Sequence, residues 1–222
     1  GQRCLNSSSR GARGRCSGPT HGAQQKMGDV NVQLVREFFE LNFFHVLTNW
    51  QQSARKLRPG EHAGQLFVQN TNAPSASDLP FLLLPGDISA IPRAVVEVRA
   101  WHADRFYPSV IEANPVLYEF VSQDAIAGEV FQHQPYVTIL VVSELPASPE
   151  LRNRSLMLLR ETGVGHVIEF PLVLQDLLQR VDANGNYPGS DTLQTLRLLK
   201  RYKLVRNQQM EYVGPRYGWR PA

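Results

Sequence analysis

The sequence predicts an α/β domain built on a mixed central sheet flanked by helices, with a helical extension at its C-terminal end. Three observations support this fold class. Residues 93–102 have an apolar, β-branched centre, which is typical of a strand buried on both faces of a sheet. Residues 136–142 are the most hydrophobic run in the chain and have the same character. Beyond that run, extended and helical patterns alternate, which favours parallel strands joined by helices.

The N-terminal half predicts one helix followed by strands. Apolar side chains recur at roughly helical spacing after Asp29 and Asn31, either of which can cap the helix. The pattern then changes to the two-residue period of a strand. The predicted elements are a helix at 32–44, strands at 44–48, 65–69 and 93–102, and a short apolar strand or buried connector at 79–84.

Turn and capping residues divide the C-terminal half. Pro115 predicts a kink or restart in the helix that follows Pro108. Ser148 followed by Pro149 is a strong helix start, and Gly163 is the matching stop. The predicted elements are the helix after 108, strands at 136–142 and 164–170, and helices at 149–163, 171–181 and 190–205, the last capped by Ser190 or Asp191.

Composition restricts the class of protein. No apolar run approaches the roughly 20 residues that span a bilayer, so we expect no membrane insertion. Both cysteines, Cys4 and Cys16, lie near the N-terminus, and the rest of the chain therefore suits a reducing, cytoplasmic compartment. Residues 1–28 contain five basic and no acidic residues, which exceeds the whole formal charge of +3. The remainder is net acidic, so overall charge gives no argument for nucleic-acid binding.

One pair of charged residues interrupts the predicted central strand. Glu97 and Arg99 are two residues apart, so both side chains point to the same face, while Val96 and Val98 point to the other. Burying two charges in a sheet is costly unless they pair, bind an ion or open onto a cleft. The sequence is compatible with a local ion pair and with an acid-x-base site at the C-terminal end of a strand.

The order helix–strand–strand–strand–helix–strand, with an acid-x-base element on the third strand, resembles the restriction-endonuclease-like PD-(D/E)xK nuclease superfamily. The matching strand is Val-Glu-Val-Arg-Ala-Trp-His at 96–102, with Arg99 in place of the family's Lys. The resemblance covers residues 32–170 and implies a restriction-endonuclease-like sheet. The Gly-, Ser- and Arg-rich composition of residues 1–28 predicts a disordered basic tail. The resemblance implies a nuclease-like domain at 29–186, and a C-terminal helix and tail at 187–222 are expected to pack on it.

The resemblance also implies catalytic and metal-binding residues. Glu97 takes the place of the strand acid that holds Mg²⁺, and Arg99 stands where the family has its Lys. Arg99 can stabilise a phosphate but is effectively never deprotonated, so it handles protons poorly. The family's Asp corresponds either to Asp78, which completes the metal site, or to Gln65, which removes a carboxylate from it.

Other residues are secondary candidates. Glu37 and Glu40 on the first helix can supply a further acid, although surface ion pairing is their default role. His102 can contact a phosphate, although a histidine at a strand end more often hydrogen-bonds a loop. A charge run on a terminal helix is usually a solvated face, but the mixture of basic and aromatic residues near the C-terminus predicts weak, sequence-independent binding to DNA or RNA. Its basic residues are Arg197, Lys200, Arg201 and Lys203, and Leu193, Leu196, Leu199 and Leu204 are expected to pack the same helix on the domain.

Two functions follow from the sequence. The first is Mg²⁺-dependent hydrolysis of phosphodiesters in nucleic acid, with Glu97, Arg99 and Asp78 as catalytic residues and with Asp78 and Glu97 as metal ligands. The second is a catalytically inactive nuclease-fold module that binds nucleic acid or a protein partner. The position of Asp78 or Gln65 relative to Glu97 distinguishes the two, and the sequence leaves the oligomeric state open.

Overall fold

The computed structural model describes residues 30–48, 64–73, 78–100, 102, 105–117, 119–122 and 124–205. The expectations for the basic tail at 1–28, for its two cysteines and for the chain beyond 205 lie outside these residues. The described chain is α/β, as predicted, with a five-stranded mixed sheet flanked by helices. None of its helices combines the length and the apolar content that a bilayer crossing requires.

The sheet has its strands in sequence order, β1 to β5. The first three strands form an antiparallel meander, and the last three are parallel to one another. β3 therefore lies at the centre of the sheet, between an antiparallel and a parallel neighbour. The strands are β1 (His45–Thr48), β2 (Gln65–Gln69), β3 (Arg93–Arg99), β4 (Val137–Val142) and β5 (His166–Glu169).

The described residues form six α-helices, which lie in two layers. We call the two faces of the sheet the α1 face and the α4 face, after one helix on each. Val96 and Val98 of β3 belong to the core of the α1 face, with side chains of α1, α5 and α6, whereas Val95 belongs to the core of the α4 face, with side chains of α2, α3 and α4. The helices are α1 (Val30–Leu41), α2 (Pro108–Ala113), α3 (Asp124–Val130), α4 (Pro149–Glu161), α5 (Phe170–Arg180) and α6 (Asp191–Arg201).

Several predicted boundaries are confirmed. Gly163 adopts a left-handed φ of 89° just after α4, and Ser190 caps α6 by accepting a hydrogen bond from the backbone N–H of Leu193 at 2.9 Å. Pro115 does interrupt the segment after Pro108, where α2 is followed by two 3₁₀ turns and then by α3. The sequence patterns did not predict α3.

The segment at 79–84 is a connector. It makes one isolated parallel bridge, from Leu82 to Val167 on β5, and it leads into a 3₁₀ helix, Pro85–Ala90. This places the connector at the outer edge of the sheet beside β5, on the side away from β1 and β2.

α6 packs on the domain through Leu193, which is buried in the core of the α1 face, and through Leu196, which packs against that core. Leu204 does not follow the expectation that it packs with them, since it is 72% exposed beyond the end of the helix. A polar contact fastens the start of α6 as well, because the Ser190 hydroxyl donates a hydrogen bond to Glu37 on α1.

Candidate functional site: a buried glutamate–arginine pair on the central strand

The candidate site is the Glu97–Arg99 pair on β3. Both residues lie on the α4 face, in the direction of Val95 and opposite to Val96 and Val98. Glu97 is completely buried, and the Arg99 side chain is 20% exposed. Nη2 of Arg99 lies 2.7 Å from Oε1 of Glu97, so the two charges pair, as their spacing predicts.

The pair has unusual electrostatics for a structural ion pair. Apart from this short contact with Arg99, no described residue serves either Glu97 oxygen with a well-aligned hydrogen bond, and Nε of Arg99 has no acceptor among the described residues. Burial raises the pKa of Glu97 from 4.5 to about 7, and the charge of Arg99 opposes this rise. Glu97 therefore exchanges between its neutral and charged forms near neutral pH. A buried carboxylate whose oxygens are not fully hydrogen-bonded is more typical of a functional site than of a fully satisfied core.

Gln65 is the neighbour of Glu97 on the adjacent strand. In the antiparallel register of β2 and β3, Gln65 pairs directly with Glu97, and directly opposed residues project from the same face. Gln65 is buried, with 2% of its surface exposed. The structure thus places a neutral amide beside the strand acid.

Gly64 brings the backbone of the β2 end against the site. Its carbonyl oxygen accepts a hydrogen bond from the N–H of Val98 at 3.0 Å. A Cβ atom at this position would lie 2.8 Å from the carbonyl oxygen of Val98 and 3.7 Å from Oε1 of Glu97. Only glycine fits this approach without a shift of the backbone, so Gly64 is a positioning residue of the site that the sequence patterns did not single out.

Asp78 is not brought to Glu97. It is exposed, and it precedes the connector whose Leu82 bridges to Val167 on β5. β4 and β5 lie between β3 and the connector, so Leu82 is three strand spacings, or ~14 Å, from β3 across the sheet. The expected pairing of Asp78 with Glu97 around one metal ion is therefore replaced in space by the pairing of Gln65 with Glu97.

The donor set around Glu97 does not fit the Mg²⁺ that the resemblance implies. Mg²⁺ in proteins is held by one or two carboxylates, waters and substrate phosphate, in near-octahedral geometry. Here one buried carboxylate and an amide face each other, and the guanidinium of Arg99 already lies in contact with the carboxylate. A second cation there would be repelled by the first. Among the described residues, no group of three His, Cys, Asp or Glu side chains is arranged to hold a metal ion.

The acids of α1 are used structurally. Glu37 is buried rather than on the surface, and its Oε1 accepts hydrogen bonds from Gln33 at 2.7 Å and from Ser190. Glu40 forms the exposed ion pair expected by default, with Arg36 at 2.8 Å. His102 hydrogen-bonds through Nε2 with Oδ1 of Asn31 at 2.9 Å, at the start of α1.

A second buried ion pair escaped the sequence patterns. Glu169 at the end of β5 receives two hydrogen bonds from Arg152 on α4, of 2.5 and 3.2 Å, and one of 2.9 Å from the N–H of Leu145. Its oxygens thus accept aligned hydrogen bonds, whereas no described residue serves those of Glu97 with one. The available signal was a lone acid at the end of the apolar run His-Val-Ile-Glu-Phe, which resembles the position of Glu97 in β3.

The four predicted basic residues on α6 and just after it are not all available to a ligand. Nζ of Lys200 donates hydrogen bonds to the carbonyls of Leu178 and Val181, where α5 ends. Nη1 of Arg201 donates to Oδ1 of Asn184 at 2.6 Å. Lys203 is exposed, whereas Arg197, the fourth predicted residue, is only partly exposed. The surface available to a phosphate backbone therefore reduces mainly to Arg201 and Lys203.

Comparison of the chain with known protein families, curated proteins and solved structures found no match.

Proposed function

We propose that the chain is a restriction-endonuclease-like protein whose catalytic centre has been replaced by an internal ion pair, and that it binds nucleic acid without metal-dependent hydrolysis. The observation that carries the proposal is the direct pairing of Gln65 with Glu97 while Arg99 occupies the carboxylate. In the superfamily that the sequence resembles, an Asp and a Lys stand at the two corresponding positions. Both changes weaken the catalytic site. An amide at position 65 supplies no negative charge to a metal ion, and a guanidinium at position 99 does not exchange protons near neutral pH.

The order of elements supports the same proposal. A helix, an antiparallel meander and a parallel crossover to β4 occur in the order from which the resemblance was drawn. The acid lies on the central strand of this arrangement, and Gly64 keeps backbone rather than a side chain against it. These features are compatible with descent from a nuclease whose fold was retained after its metal ligands were lost.

A second candidate, Mg²⁺-dependent hydrolysis, is favoured by one observation. Glu97 keeps two buried oxygens that no described residue serves with an aligned hydrogen bond, as a metal ligand would before its ion is bound. The two candidates give opposite results in one experiment. Calorimetric titration of the full chain with Mn²⁺ and Mg²⁺ should show no binding under the first proposal, and labelled DNA and RNA should stay intact with either ion.

Binding of nucleic acid is tested separately. A gel-shift titration with single- and double-stranded probes at several salt concentrations should show weak binding that falls with added salt. The variant Arg201→Ala/Lys203→Ala should weaken it, with Lys200 kept because its ammonium caps α5. Metal binding or cleavage that Glu97→Gln abolishes would establish the second candidate. A flat salt response, or equal affinity in variant and wild type, would contradict nucleic-acid binding by α6.

A further inference from the structure

A cleft of about 520 Å³ lies at the carboxyl ends of the three parallel strands. The residues that follow β3, β4 and β5 line it, among them His102, Arg105, Tyr107, Glu144, Phe170 and Leu174. Its size is within the range of sites that hold small organic ligands. None of these residues belongs to the Glu97–Arg99 pair.

The path of the chain creates this cleft. After β4 the chain passes to α4, which packs on one face of the sheet through Leu159. After β5 it passes to α5, which packs on the opposite face through Val173 and Leu177. The connections that leave two adjacent parallel strands therefore diverge to opposite faces between β4 and β5. In open α/β sheets, ligands bind at the carboxyl ends of the strands where the connections diverge in this way.

One wall of the cleft is aromatic and apolar. The ring of His102 meets that of Phe170 edge to face, with centroids 4.9 Å apart, and Leu174 follows one turn later on α5. Tyr107 contributes a further ring from the segment before α2. A flat aromatic ring gains most from such a wall, because stacking on aromatic side chains adds to the burial of apolar surface.

The rim presents a donor beside an acceptor. Nε of Arg105 lies 3.1 Å from Oε2 of Glu144, and about half of each side chain is exposed. An exposed pair of this kind contributes little to stability, so both side chains can make contacts to a ligand at small cost. Because Glu144 neutralises Arg105, a simple anion would gain little at this rim. A ligand ring whose edge carries a carbonyl next to N–H groups can pair with both side chains, because the carbonyl accepts from Arg105 and the N–H groups donate to Glu144.

We propose that this cleft binds guanine. The ring lies against the aromatic wall, its N1–H and N2–H groups donate to Glu144, and its O6 accepts from Arg105. The proposal stands independently of the function proposed for the Glu97–Arg99 pair.

Calorimetric titration of the full chain with GMP, AMP, CMP and ribose 5-phosphate tests the base. GMP should bind at least about tenfold more tightly than AMP and CMP, and ribose 5-phosphate should bind more weakly still. Equal affinity for ribose 5-phosphate and GMP would mean an anion site and would overturn the proposal, as would no binding of GMP. A short single-stranded oligonucleotide with one guanine then distinguishes a free nucleotide from a base within a strand as the source of the guanine.

Two variants place the ligand in the cleft. Leu174→Trp fills the cleft and should lower affinity for GMP at least about tenfold, whereas Met157→Trp, on the exposed surface of α4 outside the cleft, should not. Glu144→Gln removes the charged acceptor on an exposed side chain and should bring the affinities for GMP and AMP close to each other. If Leu174→Trp does not fold, Glu144→Gln decides, and an unchanged ratio of the two affinities would refute the guanine contact.

Discussion

Gln65 on β2 lies directly opposite Glu97 on β3, and both side chains are buried on the same face of the sheet. A carboxylate at position 65 would bring a second negative charge into this dry environment, where like charges cannot both ionise. With an amide there, the single cation of Arg99 is enough to balance Glu97. The register of two strands thus explains why an internal pair can exist without a metal ion.

This relationship predicts that two substitutions create a divalent-ion site. In Gln65→Asp/Arg99→Lys, two carboxylates face each other and the bulky guanidinium is gone. We expect Mn²⁺ to bind this variant with a dissociation constant of about 10⁻⁴–10⁻³ M, as in weakly binding oxygen sites, and to raise its melting temperature. The wild-type chain should show neither effect in calorimetry or thermal unfolding.

Asp78 provides the control for that experiment. Because it precedes the connector at the β5 edge, Asp78→Ala in the double variant should leave the affinity for Mn²⁺ unchanged. A clear loss of binding would show that Asp78 reaches the ion and would restore the carboxylate pair that the sequence resemblance implied.

The raised pKa of Glu97 predicts a specific dependence of stability on pH. The folded-state pKa is about 7, against an ordinary value of 4.5, so between these values the folded chain binds more protons than the unfolded chain. Protonation of Glu97 therefore makes its full contribution to the free energy of unfolding below pH 4.5. This contribution, about 3 kcal/mol in total, is lost as the pH rises through 7. Glu97→Gln cannot titrate. The wild type should therefore lose stability relative to this variant between pH 5 and pH 8.

Urea unfolding of both chains at several pH values measures this difference. Glu40→Gln is the matched control, since Glu40 makes an exposed pair with Arg36, and its pH profile should follow that of the wild type. A constant difference between wild type and Glu97→Gln across the range would show that Glu97 stays ionised throughout.

The fold was largely predictable because its signals are local. Strands buried on both faces are mainly apolar and β-branched, as at β3 and β4, and helix starts carry Ser-Pro or Ser-Asp pairs, as at α4 and α6. The C-terminal ends of α1 and α6, in contrast, carry no recognisable stop signal in the sequence. Phe43 and Lys203 adopt left-handed φ angles of 65° and 57° where glycine is the usual residue, so no glycine indicated these stops.

The site was predictable only in part. Alternation along one strand is enough to place Glu97 and Arg99 on one face, and this prediction is confirmed. The choice between Gln65 and Asp78 depends on which segment pairs with β3, and pairing between distant segments leaves no mark in local sequence. The cleft at the carboxyl edge was missed for the same reason, since its walls come from three separate connections.

The same loss of charge at Lys200 and at Lys203 should have different effects on the free energy of unfolding. Lys200→Met removes the hydrogen bonds that its ammonium donates to two carbonyls at the end of α5, and we expect a loss of about 1–3 kcal/mol in the free energy of unfolding. Lys203→Met alters an exposed side chain and should change stability by less than about 0.5 kcal/mol. Urea unfolding of the two variants at high salt compares them without long-range charge effects, and similar losses would contradict the capping role of Lys200.

Phe43 predicts a stabilising substitution. Its N–H donates to the carbonyl of Glu40, and the next N–H donates to that of Phe39, so Phe43 ends α1 in the left-handed conformation that favours glycine. The ring is 79% exposed, and its removal therefore costs little burial. Phe43→Gly should stabilise the chain by about 0.5–1 kcal/mol, because the relief of backbone strain exceeds the added flexibility of the unfolded state. Phe43→Ala keeps the Cβ atom and should give no such gain in urea unfolding. If alanine stabilises as much as glycine, the exposed ring and not the backbone is responsible.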